Sequence, residues 1–145
     1  MDKYECLKLE NQLCFPLYVA AKEVVRKYKP FLDRLDLTYT QYIAMMVIWE
    51  EKELHVTDLG KRLYLDTGTI SPLIRKLKMK DYIKITRDKT DERVQIINLT
   101  KTGEALKEKA LNIPKEMSAS KCVNLSYEEA QTLKNILEKM IGEYE

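Results

Sequence analysis

The stretch from Thr38 to Trp49 constrains this chain more tightly than any other. Thr38-Tyr39-Thr40-Gln41 has capping-box spacing, with Leu37 ahead of it as a staple. In such a box the threonine hydroxyl accepts from the amide three residues on, and the glutamine side chain returns the favour to the threonine amide. Behind the cap, Tyr42, Ile43, Ala44, Met45, Met46, Val47 and Ile48 leave almost no polar face. A helix apolar all round is stable only when it is covered on every side. The rest of the chain must therefore wrap it, and 145 residues are enough for one compact domain to do so. A membrane is not the cover, because no run approaches the roughly 18 apolar residues that span one. Met1 to Glu10 is charged and lacks the apolar region of a signal peptide. These features place the chain in the cytoplasm, with no membrane partner.

The wrapping elements can be read from hydrophobic period and punctuation. Leu13, Leu17, Ala20, Ala21, Val24, Val25 and Tyr28 make one apolar stripe on a helix from about Leu9 to Lys29. Pro16 calls for a kink or a helix start near Phe15, and Pro30 is expected to end the helix. Thr57 and Asp58 are expected to cap a short helix, Leu59 to Leu65. Asp66, Thr67, Gly68 and Thr69 read as a break. The next helix runs to about Lys80, with Ile70, Leu73, Ile74 and Leu77 inward and Pro72 in its first turn. Tyr82 to Arg87 and Val94 to Leu99 alternate around the polar run Asp88-Lys89-Thr90-Asp91-Glu92, which predicts a β-hairpin with a charged tip. Thr100 starts a helix to about Leu111, and Pro114 breaks or bends it. Leu125-Ser126-Tyr127-Glu128-Glu129 is a second capping box. The helix behind it carries Ala130, Leu133, Ile136, Leu137, Met140 and Ile141, a stripe with no partner inside one small domain. Four glycines and four prolines are too few for an all-β fold. The fold class expected is mainly α with a small β-hairpin wing.

Helix, short turn, helix and charged hairpin is the order of a winged helix-turn-helix. Between Lys61 and Arg93 stand ten basic and five acidic residues, a local +5 in a chain of +2 overall. A basic centre between acidic flanks suits a polyanion. A helix enters a major groove with its amino-terminal residues at the base edges. Thr67, Gly68, Thr69 and Ser71 are small hydrogen-bonding groups at that end, and Arg75 and Lys76 follow one turn later. In the hairpin, Lys89 sits at the tip with Asp91 and Arg93, and a guanidinium there suits a minor groove. Singly, each of these residues reads as readily as a cap or a solvated charge. Together they point to double-stranded operator DNA.

The cysteines are Cys6, Cys14 and Cys122, an odd number with no C-x-x-C, and His55 is the sole histidine. Neither a zinc site nor a disulfide scaffold is expected. No nucleophile–histidine pair, paired carboxylates or phosphate loop is present, so no catalytic residues, metal or cofactor are expected.

Thr57-Asp58-Leu59-Gly60, Asp91-Glu92-Arg93 and Leu99-Thr100-Lys101-Thr102-Gly103 resemble the multiple-antibiotic-resistance regulator (MarR) family of winged helix-turn-helix repressors. The resemblance covers nearly the whole chain. It implies a homodimer on a pseudo-palindromic operator, held by interlocking terminal helices. Residues 1–145 then form a single domain. About 1–35 and 101–145 are its dimerisation helices, and about 36–100 is its DNA-binding lobe. Leu9-Glu10-Asn11-Gln12-Leu13-Cys14-Phe15, Leu37-Thr38-Tyr39-Thr40-Gln41-Tyr42 and Asp66-Thr67-Gly68-Thr69-Ile70-Ser71-Pro72-Leu73 further resemble the organic hydroperoxide resistance regulator subgroup. That likeness implies that Cys14 is the peroxide sensor, with Tyr28 and Tyr39 as hydrogen-bonding partners donated across the dimer interface. It also implies Cys122 as a candidate resolving cysteine. The chemistry is coherent, because a thiolate attacks a peroxide O–O bond and becomes a sulfenic acid. Phenolic hydroxyls stabilise such a thiolate, and the apolar surround of Phe15 and Tyr18 suits an organic hydroperoxide as inducer. Two other readings stand beside this one. One is a MarR-type repressor that answers a phenolic ligand, with Cys14 incidental. The other is a thiol-dependent peroxidase, which would have no use for a basic wing.

Overall fold

The structure is a computed structural model and describes residues 2–120 and 122–142. The ends of the expected 1–145 domain therefore lie outside the described residues. Contacts divide the chain into two units, Met1–Ile113 and Pro114–Glu145.

In the first unit, two short 3₁₀ turns, Glu5–Leu7 and Leu9–Asn11, precede helix α1 (Cys14–Asp33). The expected start near Phe15 is met, and it explains how Pro16 is tolerated. As the third helical residue, it has an amide that needs no partner within the helix. Pro30, by contrast, does not end the helix but lies inside its last turns. A proline there forfeits one backbone bond, which the buried Leu32 just beyond helps to offset.

Helix α2 (Tyr39–Glu51) carries the expected capping box in full. The Gln41 amide donates to Thr38 Oγ1 at 3.3 Å, and the Thr38 amide donates to Gln41 Oε1 at 3.1 Å. Leu37 and Tyr42 on either side of the cap are both buried. Ala44, Met45 and Ile48 are wholly enclosed, and only Met46 faces outward among the apolar run. Contacts to α1 and to the elements that follow provide the cover.

Lys52, with a positive φ of 65°, turns the chain out of α2 into strand β1 (Glu53–His55), an element absent from the expectations. Three residues are too short a run to show a period, and this strand exists only because it pairs with a distant one. Helix α3 (Val56–Leu63) starts three residues earlier than expected. Thr57 and Asp58 thus lie within the helix, and the residue at its cap, His55, makes no side-chain capping bond. Helix α4 (Thr67–Met79) follows a three-residue turn. Its cap is Asp66, whose Oδ1 accepts from the Thr69 amide at 2.8 Å. Thr67, Gly68 and Thr69 are consequently the first turn of the helix rather than a break, and Pro72 falls in the second turn rather than the first.

Strands β2 (Ile83–Arg87) and β3 (Gln95–Leu99) form the expected hairpin. The antiparallel order is β1-β3-β2, with Ile97 of β3 opposite Leu54 on one side and Ile85 on the other. Leu54, Ile83 and Ile97 are buried beneath it. Helix α5 (Lys101–Ala110) is capped by Thr100, whose Oγ1 accepts from the Gly103 amide at 3.0 Å. Helix α6 (Ile113–Ala119) begins where the first unit ends, with Pro114 in its opening turn.

In the second unit, α7 (Tyr127–Gly142) opens on a completed capping box. The Glu129 amide donates to Ser126 Oγ at 3.1 Å, and the Ser126 amide donates to Glu129 Oε1 at 3.0 Å. The helix buries no residue among those described; Leu133, Ile136 and Ile141 are exposed. No helix of the described residues is long and apolar enough to cross a membrane.

Of the four glycines, Gly103 is the most tightly enclosed. A Cβ there would lie 2.3 Å from the Tyr82 carbonyl oxygen and 2.7 Å from Leu99 Cδ1. Gly103→Ala must move the Tyr82 backbone just ahead of β2 as well as a side chain, so a loss of about 2–3 kcal/mol is expected in urea denaturation. Gly142 is the control, because a Cβ there would meet nothing within 4 Å. Its alanine variant should match or slightly exceed the parent in stability.

Candidate nucleic-acid interface and thiol site

Burial of Ile70, Leu73, Ile74 and Leu77 turns one face of α4 inward. The opposite face therefore has to be solvent-facing. Thr67, Gly68, Thr69, Ser71, Arg75 and Lys76 are all exposed there, as expected from sequence. Thr67, Ser71 and Arg75 follow one another at i, i+4 spacing and make one row along the helix. Small polar groups occupy the amino-terminal turn and cations the turns that follow, an arrangement that fits a groove flanked by phosphates.

The hairpin tip is built by two aspartates. Asp88 Oδ1 accepts from the Thr90 amide at 2.8 Å, the Thr90 hydroxyl at 2.7 Å and the Asp91 amide at 3.3 Å. The Thr90 hydroxyl above all holds the Asp88 carboxyl below the ordinary carboxylate range. The loop closes with the Asp88 amide donating to the Val94 carbonyl and the Val94 amide donating to that of Asp91, both at 3.0 Å. Asp91 accepts from Arg93 through both carboxylate oxygens, Nε to Oδ1 at 3.1 Å and Nη2 to Oδ2 at 3.3 Å, and also takes the Arg93 amide. The guanidinium beside it holds Asp91 low as well. Arg93 remains 91 % exposed in its side chain despite this clasp. Its direction is thus set while its outer face stays open. Lys89 stands exposed at the same tip.

Cys14 is the first residue of α1, exposed and free. Leu13, Phe15 and Tyr18 around it are also exposed, Leu13 at 78 % and Tyr18 at 62 %. A shallow hollow lined by Lys8, Leu9, Glu10 and Phe15 lies alongside. The tyrosines are elsewhere. Tyr28 is fourteen residues along the same helix, about 21 Å away by helical rise. Its ring packs on Tyr39 at 5.1 Å between centroids and on Tyr42 at 5.9 Å. One copy of the chain thus brings Tyr28 and Tyr39 together but does not bring either to Cys14. Cys122 Sγ lies 2.7 Å from Ser120 Oγ, and Cys6 is exposed near the first 3₁₀ turn. None of the three cysteines is in a disulfide, and no metal-holding cluster occurs among the described residues.

Tyr42 is the member of this cluster that sequence reasoning missed. Its place in the apolar run of α2 marked it as core, and it is indeed 3 % exposed. The signal lay in its spacing of three from Tyr39, which puts both phenols on one side of α2. Burial first, and the neighbouring phenols second, push Tyr28 and Tyr42 above the usual tyrosine value.

Comparison with known proteins bears on both parts. The model of the family described as transcriptional regulator SarA/Rot matches residues 26–110. An organic hydroperoxide resistance transcriptional regulator of Bacillus subtilis is 45% identical over 113 residues, covering 78% of this chain and 77% of its own. The HTH-type transcriptional regulator SarZ of Staphylococcus aureus is 40% identical over 134 residues, covering 92% of this chain and 89% of its own. Among solved structures, AbfR of Staphylococcus epidermidis in its reduced form bound to DNA superposes with a TM-score of 0.80 at 27% identity, covering 99% of both chains.

The tyrosine cluster makes its own test. A raised pKa in the folded state stabilises the fold fully below the unfolded tyrosine value near 10. That contribution is lost as pH rises through the folded value. Phenolate absorbance should therefore show Tyr28 and Tyr42 ionising after the exposed tyrosines, and urea should abolish the lag. Tyr28→Phe should lower the Tyr42 transition only partly, because burial is its larger cause. A single titration step near 10 for all nine tyrosines would exclude the cluster.

Proposed function

The chain belongs to the SarA/Rot family of transcriptional regulators, winged-helix proteins of MarR type, and from that premise we propose that it is a dimeric repressor that releases operator DNA when an organic hydroperoxide oxidises Cys14. Its likeness to regulators sets the peroxidase alternative aside.

The observation that carries the DNA half of this reading is the pairing of an exposed polar row on α4 with a hairpin whose arginine is already aimed by Asp91. In the proposed complex α4 occupies a major groove and Arg93 the adjoining minor groove. Thr67, Gly68, Thr69 and Ser71 approach base edges or phosphates, and Arg75, Lys76 and Lys89 neutralise phosphate. A dimer presents two such units to a pseudo-palindromic site in the cytoplasm. The exposed apolar side chains of α1 and α7 support self-association, since each helix considered by itself has a stripe left uncovered.

The sensing half rests on Cys14 being a free, exposed thiol with the exposed apolar residues Leu13, Phe15 and Tyr18 close to it in sequence, and on the 45% likeness to a protein named for organic hydroperoxide resistance. The thiolate attacks the outer oxygen of the hydroperoxide. An S–O bond forms and the O–O bond breaks. The alkoxide leaves and takes a proton to become an alcohol. Sulfur is oxidised by two electrons and the peroxide is reduced by two. The sulfenic acid then condenses with a thiol and expels water. The thiol is either Cys122 or a small-molecule thiol. Because Tyr28 is about 21 Å along the helix from Cys14 in the same copy, contact of Tyr28 or its neighbour Tyr39 with the sulfur requires a second copy. Oxidation at such a boundary between copies would disturb the tyrosines and the pose of both lobes.

Two measurements test these halves separately. In a gel shift, wild type should release duplex DNA on addition of cumene hydroperoxide. Cys14→Ser should bind as well and stay bound, and Cys6→Ser should follow wild type. Blocked or slow release by Cys122→Ser assigns it the resolving role, and unchanged release assigns that role to a small thiol. Release by Cys14→Ser equal to wild type would eliminate the sensor and favour the phenolic-ligand reading. For the wing, Arg93→Ala should weaken binding by roughly 10- to 100-fold, and unchanged affinity removes Arg93 from the interface.

A further inference from the structure

Lys80 follows the last turn of α4 and is the residue that closes it. Its ammonium donates to the main-chain carbonyl of Asp36, and to Gln41 Oε1 at 3.1 Å, with the Asp36 carboxylate at 3.6 Å. Two residues on, the Tyr82 hydroxyl donates to the Leu35 carbonyl at 3.4 Å. The link between α4 and β2 thereby grips the link between α1 and α2. Only a quarter of the Lys80 side chain is exposed, whereas the Asp36 carboxylate beside it is open to solvent, so the buried anchor of this ammonium is Gln41. Asp36 is held in a left-handed conformation (φ 53°), which offers its carbonyl and carboxylate to the same ammonium.

Gln41 is the meeting point. It is the one buried polar residue among the described residues, at 3 % exposure. Its side-chain oxygen accepts both the Thr38 amide, as the cap of α2, and the Lys80 ammonium. The cap of one helix and the tail of another therefore share a single oxygen atom. Tyr39 and Tyr42 stand on the same first turn of α2 and pack against Tyr28 of α1. That turn has the tyrosine cluster on one side and the end of the DNA-reading helix on the other. It cannot shift without carrying the shared oxygen, and Lys80, with it.

We propose that Lys80 is a positioning residue that sets the pose of α4 from the position of the first turn of α2, so that the packing of Tyr28 and Tyr39 is passed to the DNA-binding face through Gln41 and Asp36. This rests on the reading that α4 binds duplex DNA, and not on the chemistry of Cys14. A charge-assisted bond to a buried oxygen has the strength and direction for the task. Chains of hydrogen bonds and packed side chains carry coupling between separated sites.

The test is a double-variant cycle with excess thiol present throughout, using a duplex that the wild-type protein selects from a random-sequence pool. Wild type, Lys80→Met, Tyr28→Ala and the double variant are compared for affinity, each checked for folding by urea denaturation. Tyr28 and Lys80 sit on different elements, so independent effects multiply. The expected result is that Tyr28→Ala weakens binding several-fold in the wild-type background, but by no more than about twofold once Lys80 is methionine. The same loss in both backgrounds overturns the proposal, as does a Tyr28→Ala protein that binds like wild type. If Lys80→Met does not fold, Lys80→Gln takes its place; it is too short to reach both oxygens. A wild-type protein that selects no duplex overturns the DNA-binding reading itself, a result separate from the other two.

Discussion

The first unit depends on how closely α5 can approach the strands. Gly103 is the residue that permits it: the absence of a Cβ lets the helix rest on the Tyr82 carbonyl and Leu99. Four hydrogen bonds converge there. The Trp49 indole donates to the Gly103 carbonyl at 2.9 Å from inside the core. Thr100 accepts from the Gly103 amide and donates its own hydroxyl to the Asp81 carbonyl. The Thr100 amide donates to the Tyr82 carbonyl at 3.2 Å. The central helix, the start of the hairpin and α5 are thus tied at one point. A wider residue at 103 would separate all three, and the hairpin would lose the platform that aims its tip.

Much of this was legible in the sequence, for physical reasons that differ by element. The capping boxes at Thr38 and Ser126 were readable because side-chain caps are local and their spacing is fixed by one helical turn. The hairpin was readable because two alternating segments flank a polar run. Strand β1 was not, since three residues carry no period and its existence depends on β3. The two proline misreadings have one origin. Pro30 and Pro72 both lie inside helices whose buried residues, Leu32 and the Ile70–Leu73–Ile74–Leu77 set, hold the helix past the missing backbone bond. Local punctuation was outweighed by tertiary burial.

The candidate site was legible in kind more than in arrangement. Residue chemistry and order marked the α4 face and the wing. The clasp of Asp91 on Arg93 is a contact between close neighbours, which is why a three-residue motif could signal it. The link from Lys80 to Gln41 spans 39 positions, and nothing in a single sequence pairs a helix-ending lysine with a capping glutamine. The separation of Cys14 from Tyr28 is different again: it follows from helical rise alone. Once α1 is a continuous helix, any reading in which those residues meet needs two copies.

The Asp91–Arg93 clasp has a consequence for ionic strength. Arg93 arrives at a nucleic acid with its own carboxylate counterion attached at two points. The wing therefore presents a nearly neutral pair, and its docking displaces few of the cations condensed on a duplex. Affinity that depends on such displacement falls steeply as salt is added. In the proposed complex that steepness comes from Arg75 and Lys76 of α4 and Lys89 at the hairpin tip, whereas the Asp91–Arg93 pair contributes shape and direction that salt screens little. The proposed interface would thus divide the work by solution condition, with Arg75, Lys76 and Lys89 dominating attraction in dilute salt and the Asp91–Arg93 pair retaining its hold as salt rises.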